Sequence, residues 1–143
     1  MARKFFVDTN ILVYAYDRLA GGKNKQAIKV VQQLWETGEG VVSTQVLQEL
    51  CVSLRRKVAN PQPTERIREI VRSYQSWQVV VNTTDSVLRA LDIEERYRIS
   101  FWDAMILQAA ETAGAEVVYS EDLSAGQRYG GVGVVNPFVS APD

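Results

Sequence analysis

Phe5-Phe6-Val7-Asp8-Thr9-Asn10-Ile11-Leu12-Val13-Tyr14 is the stretch on which the fold of this chain turns. An apolar strand, roughly Lys4–Val7, stops at Asp-Thr-Asn, and a helical pattern follows at once from about Asn10 to Tyr16. A strand feeding directly into a helix is how a β-α unit begins. In an open sheet of such units, side chains at the carboxyl end of a strand face the crevice where ligands bind. Taken alone, Asp8 or Asn10 could equally be a helix cap, since both residue types accept hydrogen bonds from free backbone N–H groups. Where the other carboxylates fall decides between the two.

Working outward, strands and helices alternate. Lys25–Glu36 carries a helical stripe at Ala27, Ile28, Val31, Leu34 and Trp35. Val41-Val42-Ser43 reads as a second strand, and Val46, Leu47, Leu50, Cys51, Leu54 and Val58 stripe a third helix from Thr44 to near Asn60-Pro61. Pro61-Gln62-Pro63 is a turn into a helix over Thr64–Ser76. A third strand at Val79–Val81 precedes a helix opened by Thr83-Thr84-Asp85 and running to about Arg96. Ser100 caps a helix with Trp102, Met105, Ile106, Ala109, Ala110 and Ala113 on one face, and Gly114 stops it. Val117–Tyr119 and Val132–Val135 complete the strands. This order predicts an α/β fold with a mostly parallel, doubly wound sheet, in one domain spanning all 143 residues.

Composition narrows the chemistry. Histidine is absent, which removes serine or cysteine nucleophile systems that rely on it, imidazole acid–base pairs and most zinc sites. Hydrolytic chemistry would then rest on carboxylates and a hard metal. Cys51 is the lone cysteine, so no internal disulfide forms and a cytoplasmic location is expected; its apolar neighbours make it a packing residue. No secretory signal and no apolar run long enough for a bilayer is visible, so no membrane partner is expected. A net charge of −1 and a pI near 5.6 argue against nucleic-acid binding by bulk charge alone, although a bound cation supplies a positive field of its own.

Among 17 acidic residues, position must single out the important ones. Asp8 ends the first strand, and Asp122 in Tyr119-Ser120-Glu121-Asp122 lies just past the fourth, the same kind of place. Glu49 flanks the packed stripe of its helix, roughly 60° beyond Val46, where a cleft-lining or a merely solvated carboxylate would sit. Asp103 follows Ser100 by three, the spacing of a capping box, and a cap is the favoured reading from spacing alone.

Read together, these segments resemble the PIN-domain ribonucleases, especially the VapC-type toxins of toxin–antitoxin pairs. Val7-Asp8-Thr9-Asn10-Ile11-Leu12-Val13-Tyr14-Ala15 resembles the opening motif, and Ser43-Thr44-Gln45-Val46-Leu47-Gln48-Glu49-Leu50 the second. Ser100-Phe101-Trp102-Asp103-Ala104-Met105-Ile106 resembles the third; Tyr119-Ser120-Glu121-Asp122-Leu123, with Gly126 and Asn136-Pro137-Phe138, resembles the fourth and its tail. None of the four acidic positions departs from the pattern. The resemblance implies a three-layer α/β/α sandwich around a central, mostly parallel sheet, with Asp8, Glu49, Asp103 and Asp122 meeting in an acidic pocket. It implies Mg²⁺ or Mn²⁺ as cofactor, RNA as substrate, a cognate antitoxin and a homodimer. Asp8, Asp103 and Asp122 would contact metal directly or through water, and Glu49 would hold a metal water or orient the nucleophile. Asn10 and Ser120 would support the acids. On this reading Asp8 is a metal ligand rather than a cap, and Asn10 is left to cap the helix.

Arg55, Arg56 and Lys57 end the third helix, either as favourable charge at its C-terminus or as contacts to RNA phosphate. Arg66, Arg68 and Arg72 read as a solvated face; Lys23, Lys25 and Lys29 fit either role. Tyr14, Tyr16, Trp35 and Trp102 read as core or interface, and the resemblance implies an antitoxin groove within Thr44–Trp77. Other classes fit less well. A haloacid-dehalogenase-type phosphatase needs aspartate where Asn10 stands, and a receiver domain needs an acidic pair near its start and an aspartate near Glu49. A non-catalytic PIN-like binding module would be marked by loss of acids, and all four remain.

Overall fold

The computed structural model describes residues 3–56, 58, 60–124 and 126–139. Six strands form a single sheet: β1 (Phe5–Val7), β2 (Gly40–Ser43), β3 (Gln78–Val80), β4 (Val117–Tyr119), β5 (Arg128–Tyr129) and β6 (Val132–Val135). Their order is β3-β2-β1-β4-β6-β5, parallel throughout except for the β5–β6 pair. Phe6, Val7, Val41, Val42 and Val118 are all but inaccessible. Helices cover both faces of such a sheet, so its strands need apolar side chains in both directions, which is why these segments read as unbroken apolar runs.

The helices are α1 (Thr9–Tyr16), α2 (Gly22–Thr37), α3 (Thr44–Arg56), α4 (Thr64–Ser73), α5 (Thr84–Tyr97) and α6 (Phe101–Ala113). α6 packs against β2, β3, β4 and β6 with α5 outside it, while α2 and α3 pack against β2 and α1 against both of them. The result is the expected α/β/α sandwich. From β1 the chain winds outward through β2 to β3; the α5–α6 hairpin then carries it back to β4 on the other side of β1. The strand order therefore reverses between β1 and β4, and crevices in open α/β sheets form at the carboxyl ends of strands at such a reversal.

Several boundaries differ from the sequence expectation. The described part of the third helix ends at Arg56 rather than near Asn60, and the fourth turns into a 3₁₀ helix at Tyr74–Ser76. β3 starts one residue earlier than expected. The missed strand, β5, pairs with β6 across Gly130-Gly131, a two-residue loop with Gly130 at φ 63°. Glycine tolerates that left-handed backbone without a steric penalty, and Gly-Gly is a turn pair suited to a two-residue hairpin loop. Trp102, read as core or interface, is 63% exposed on the first turn of α6 and so is not a core residue, whereas Trp35 stacks at a tilt on Tyr74 and Trp77. Cys51 is half-buried against the core, as a packing residue should be. No helix among the described residues is long and apolar enough to cross a membrane.

Candidate active site

Asp8 leaves β1 with extended backbone (φ −72°, ψ 156°), and its Oδ1 accepts the N–H of Thr9 at 2.7 Å. Asp8 is thus the N-cap of α1, contrary to the expectation that Asn10 would serve. The role falls to Asp8 because it is the last extended residue before the helix, and Asn10 already lies inside the first turn, where its side chain is used elsewhere. Capping does not exhaust Asp8: its second oxygen, Oδ2, accepts the Ser120 hydroxyl at 2.7 Å. The β1–β4 pairing makes this contact, since Asp8 and Ser120 each follow the last residue of their strand and Val7 is in register with Tyr119.

Ser120 is fully buried; its Oγ also accepts the N–H groups of Asp122 (3.2 Å) and Leu123 (3.3 Å), fixing the bend that carries Asp122. Asn10 closes the arrangement from α1. Its Nδ2 donates to Asp122 Oδ2 at 2.9 Å and its Oδ1 accepts the Glu121 N–H at 3.3 Å. Glu49, exposed on α3, accepts the Thr9 hydroxyl on Oε1 at 2.8 Å and a longer bond from Gln45 Nε2 at 3.4 Å on the same atom. Thr9, Asn10, Glu49 and Asp122 line one cleft of about 580 Å³, together with Val13, Tyr14, Asp17, Gln48, Val52 and Ser53.

Burial pushes the Asp8 carboxyl up to about 6, and the nearby Asp122 and Glu49 charges push the same way; the Ser120 and Thr9 bonds only partly offset them. The site therefore carries more negative charge than its own hydrogen bonds neutralise. Glu121, beside Asp122 in sequence, behaves differently. Lys23 Nζ donates to its Oε2 at 2.6 Å and the Tyr14 hydroxyl to its Oε1 at 3.0 Å, so its charge is already matched. The bond to Glu121 in turn holds the Lys23 ammonium above its ordinary value.

Asp103 stands apart. Ser100 caps α6 by accepting the Asp103 N–H at 3.1 Å, as its spacing suggested. α6 runs back across the sheet before β4 begins, so its first turn lies on the same carboxyl edge as Asp8 and Asp122. Yet the Asp103 side chain makes no hydrogen bond with the other three acids among the described residues and does not line the cleft. Arg55 and Arg56 are exposed in the last turn of α3, outside the cleft lining; Lys57 lies outside the described residues. Thr9 and Gln45 were not anticipated. Gln45 had a signal, its placement one helical turn before Glu49; for Thr9 the clue was only its position between two residues already singled out.

Residues 5–128 match the PIN domain family. The chain is a PIN domain protein. No curated protein matches it. Its fold is similar to that of Mycobacterium tuberculosis VapC20, described as a sarcin-ricin loop cleaving toxin, at 21% identity and a TM-score of 0.65, covering 83% of this chain and 90% of that one. A toxin–antitoxin complex from Klebsiella pneumoniae aligns at 17% identity and a TM-score of 0.69 over 94% of this chain and 98% of that one. DNA-bound VapBC from Salmonella typhimurium aligns at 20% identity and a TM-score of 0.64, over 93% and 97%.

Whether this PIN domain suits a divalent cation can be judged from its donors. Those in and beside the cleft are carboxylate, hydroxyl and amide oxygens, the set hard cations take, and the raised Asp8 carboxyl marks uncompensated charge that a cation would relieve. Among the described residues no three acidic side chains form a ready-made ligand cluster. The donor chemistry fits a hard divalent cation such as Mg²⁺ or Mn²⁺.

Proposed function

We propose that this PIN domain protein is a Mg²⁺- or Mn²⁺-dependent endoribonuclease, the toxin of a toxin–antitoxin pair that blocks translation. The observation that carries the proposal is the buried Asp8 carboxylate at the β1–β4 reversal, in the field of Glu49 and Asp122 with no cationic partner among the described residues. Asp8, Asp122 and Asp103 are the residues proposed to hold the cation, directly or through water. When bound, the cation supplies positive charge against phosphate oxygens and lowers the pKa of water. Glu49, whose Oε2 has no hydrogen-bond partner among the described residues, would hold a water of that cation and orient the attacking water, taking up its proton. Water attacks phosphorus in line, the P–O bond to the leaving sugar breaks, and that oxygen takes up a proton from solvent water. Asn10 and Ser120 hold Asp122 and Asp8 in place, and Arg55, Arg56 and Lys57 are proposed contacts to RNA phosphates.

The similar toxin–antitoxin complexes support a protein antitoxin as partner. A homodimer is supported by the apolar stripe Val87, Leu88 and Leu91 on the outer face of α5, which no other described residue covers. The functional test is direct. Purified protein should cleave RNA with Mg²⁺ or Mn²⁺ and stop on addition of EDTA, and its expression alone should arrest growth. Asp103→Asn should relieve the arrest; equal toxicity from both proteins would argue for binding rather than cleavage.

A further inference from the structure

Thr9 is the residue that joins two of the acids. Its N–H donates to Asp8 Oδ1 and its hydroxyl to Glu49 Oε1, at 2.7 Å and 2.8 Å. A threonine in the first turn of a helix usually bonds nearby backbone or faces water. Here the hydroxyl reaches α3 instead, and Thr9 is buried. Its β-branched side chain has few rotamers, so α1 itself sets the direction of the hydroxyl. Glu49 has the opposite character: exposed, long, and free to sample many rotamers unless something holds it. Two donors converge on one of its oxygens, Thr9 closely and Gln45 at a longer distance, and neither touches the other oxygen.

We infer that Thr9 is the positioning residue for Glu49, pinning Oε1 so that Oε2 is presented to the cleft, and coupling the placement of Glu49 to that of Asp8. Gln45 backs the same oxygen. The inference rests on the hydrolytic role proposed above for Glu49. A hydroxyl that only fastened α1 to α3 would stabilise the fold without acting through Glu49, and the two roles separate experimentally.

The experiment compares the full chain with Thr9→Val, Thr9→Ser, Glu49→Ala and the Thr9→Val/Glu49→Ala double variant. Valine keeps the shape of Thr9 and leaves the Thr9 N–H bond to Asp8, and the released Glu49 carboxylate is open to water, so folding is expected to persist. Thr9→Val is expected to lower kcat for RNA cleavage by about 10–100-fold with KM little changed, and Thr9→Ser to recover most of that loss. Adding Thr9→Val to Glu49→Ala should cost nothing more, because the group it acts through is gone. Mn²⁺ binding followed by electron paramagnetic resonance should weaken by about tenfold in Thr9→Val and show the same non-additivity. Unchanged Mn²⁺ affinity, equal losses with and without Glu49, or full cleavage by Thr9→Val overturns the inference. If the wild-type protein neither cleaves RNA nor binds Mn²⁺, the hydrolytic reading fails and this one with it. If it cleaves and Glu49→Ala is impaired while Thr9→Val is not, only the role of Thr9 falls.

Discussion

Replacing Asp8 with asparagine should stabilise the metal-free protein at neutral pH while abolishing cleavage. The Asp8 carboxyl rises from 3.8 to about 6 on folding, chiefly through burial. The folded chain therefore binds a proton more tightly than the unfolded chain, and stability is lost as pH rises from about 3.8 to about 6 and is level above. About two units at 1.36 kcal/mol each makes the ionised carboxylate worth about 3 kcal/mol of destabilisation at pH 7.5.

Asparagine removes the charge and keeps an acceptor for the Thr9 N–H. Its amide nitrogen, however, would face Ser120 Oγ, which already accepts the N–H groups of Asp122 and Leu123. That mismatch costs about 1 kcal/mol. The net gain of about 2 kcal/mol should raise Tm by about 4–8 °C for a domain of this size. The assay is thermal unfolding in EDTA at several pH values. The advantage should be full at pH 7.5, shrink below pH 6 and vanish or reverse near pH 4, where the wild-type carboxyl is protonated in the folded state. Mg²⁺ should then raise the Tm of the wild type and not of the variant, since a cation binding only the folded form stabilises it. An Asp8→Asn protein no more stable than wild type at pH 7.5, or an advantage that ignores pH, would refute the reasoning.

Two further outcomes follow from the packing. A Cβ at Gly40 would stand 2.6 Å from the Trp77 ring, which is held by Trp35 and Tyr74, so Gly40→Ala should cost about 1–3 kcal/mol, seen as a lower urea midpoint at unchanged m-value. Leu88→Lys on the exposed stripe of α5 should convert a dimer to a monomer by light scattering with unchanged Tm of the monomer; an unaltered dimer mass would remove that stripe from the interface.

The alternation of strands and helices was legible because burial on both faces of a parallel sheet writes continuous apolar runs, and burial on one face of a helix writes a stripe. The breaks between them placed Asp8 and Asp122 at strand ends, and the Ser100–Asp103 spacing placed a cap that the structure contains. The short β5 carries too few residues for any period, and its strand character comes from β6 beside it. Asp8 as both cap and buried acid was not legible either, since local spacing offers those roles as alternatives and only the Ser120 hydroxyl arriving from β4 lets one side chain do both.

The sequence by itself determined the layers, the direction of the chain through them and the chemistry available, carboxylates without histidine. Tertiary structure decided which carboxylates share a field. Thr9 meets Glu49 across 40 positions and Asp8 meets Ser120 across 112, separations no local pattern encodes. It also decided that Glu121 is paired with Lys23 and hydrogen-bonded by Tyr14 while its neighbour Asp122 turns to the cleft. Periodicity reports what a side chain avoids, which is water; only the packed fold determines what it meets.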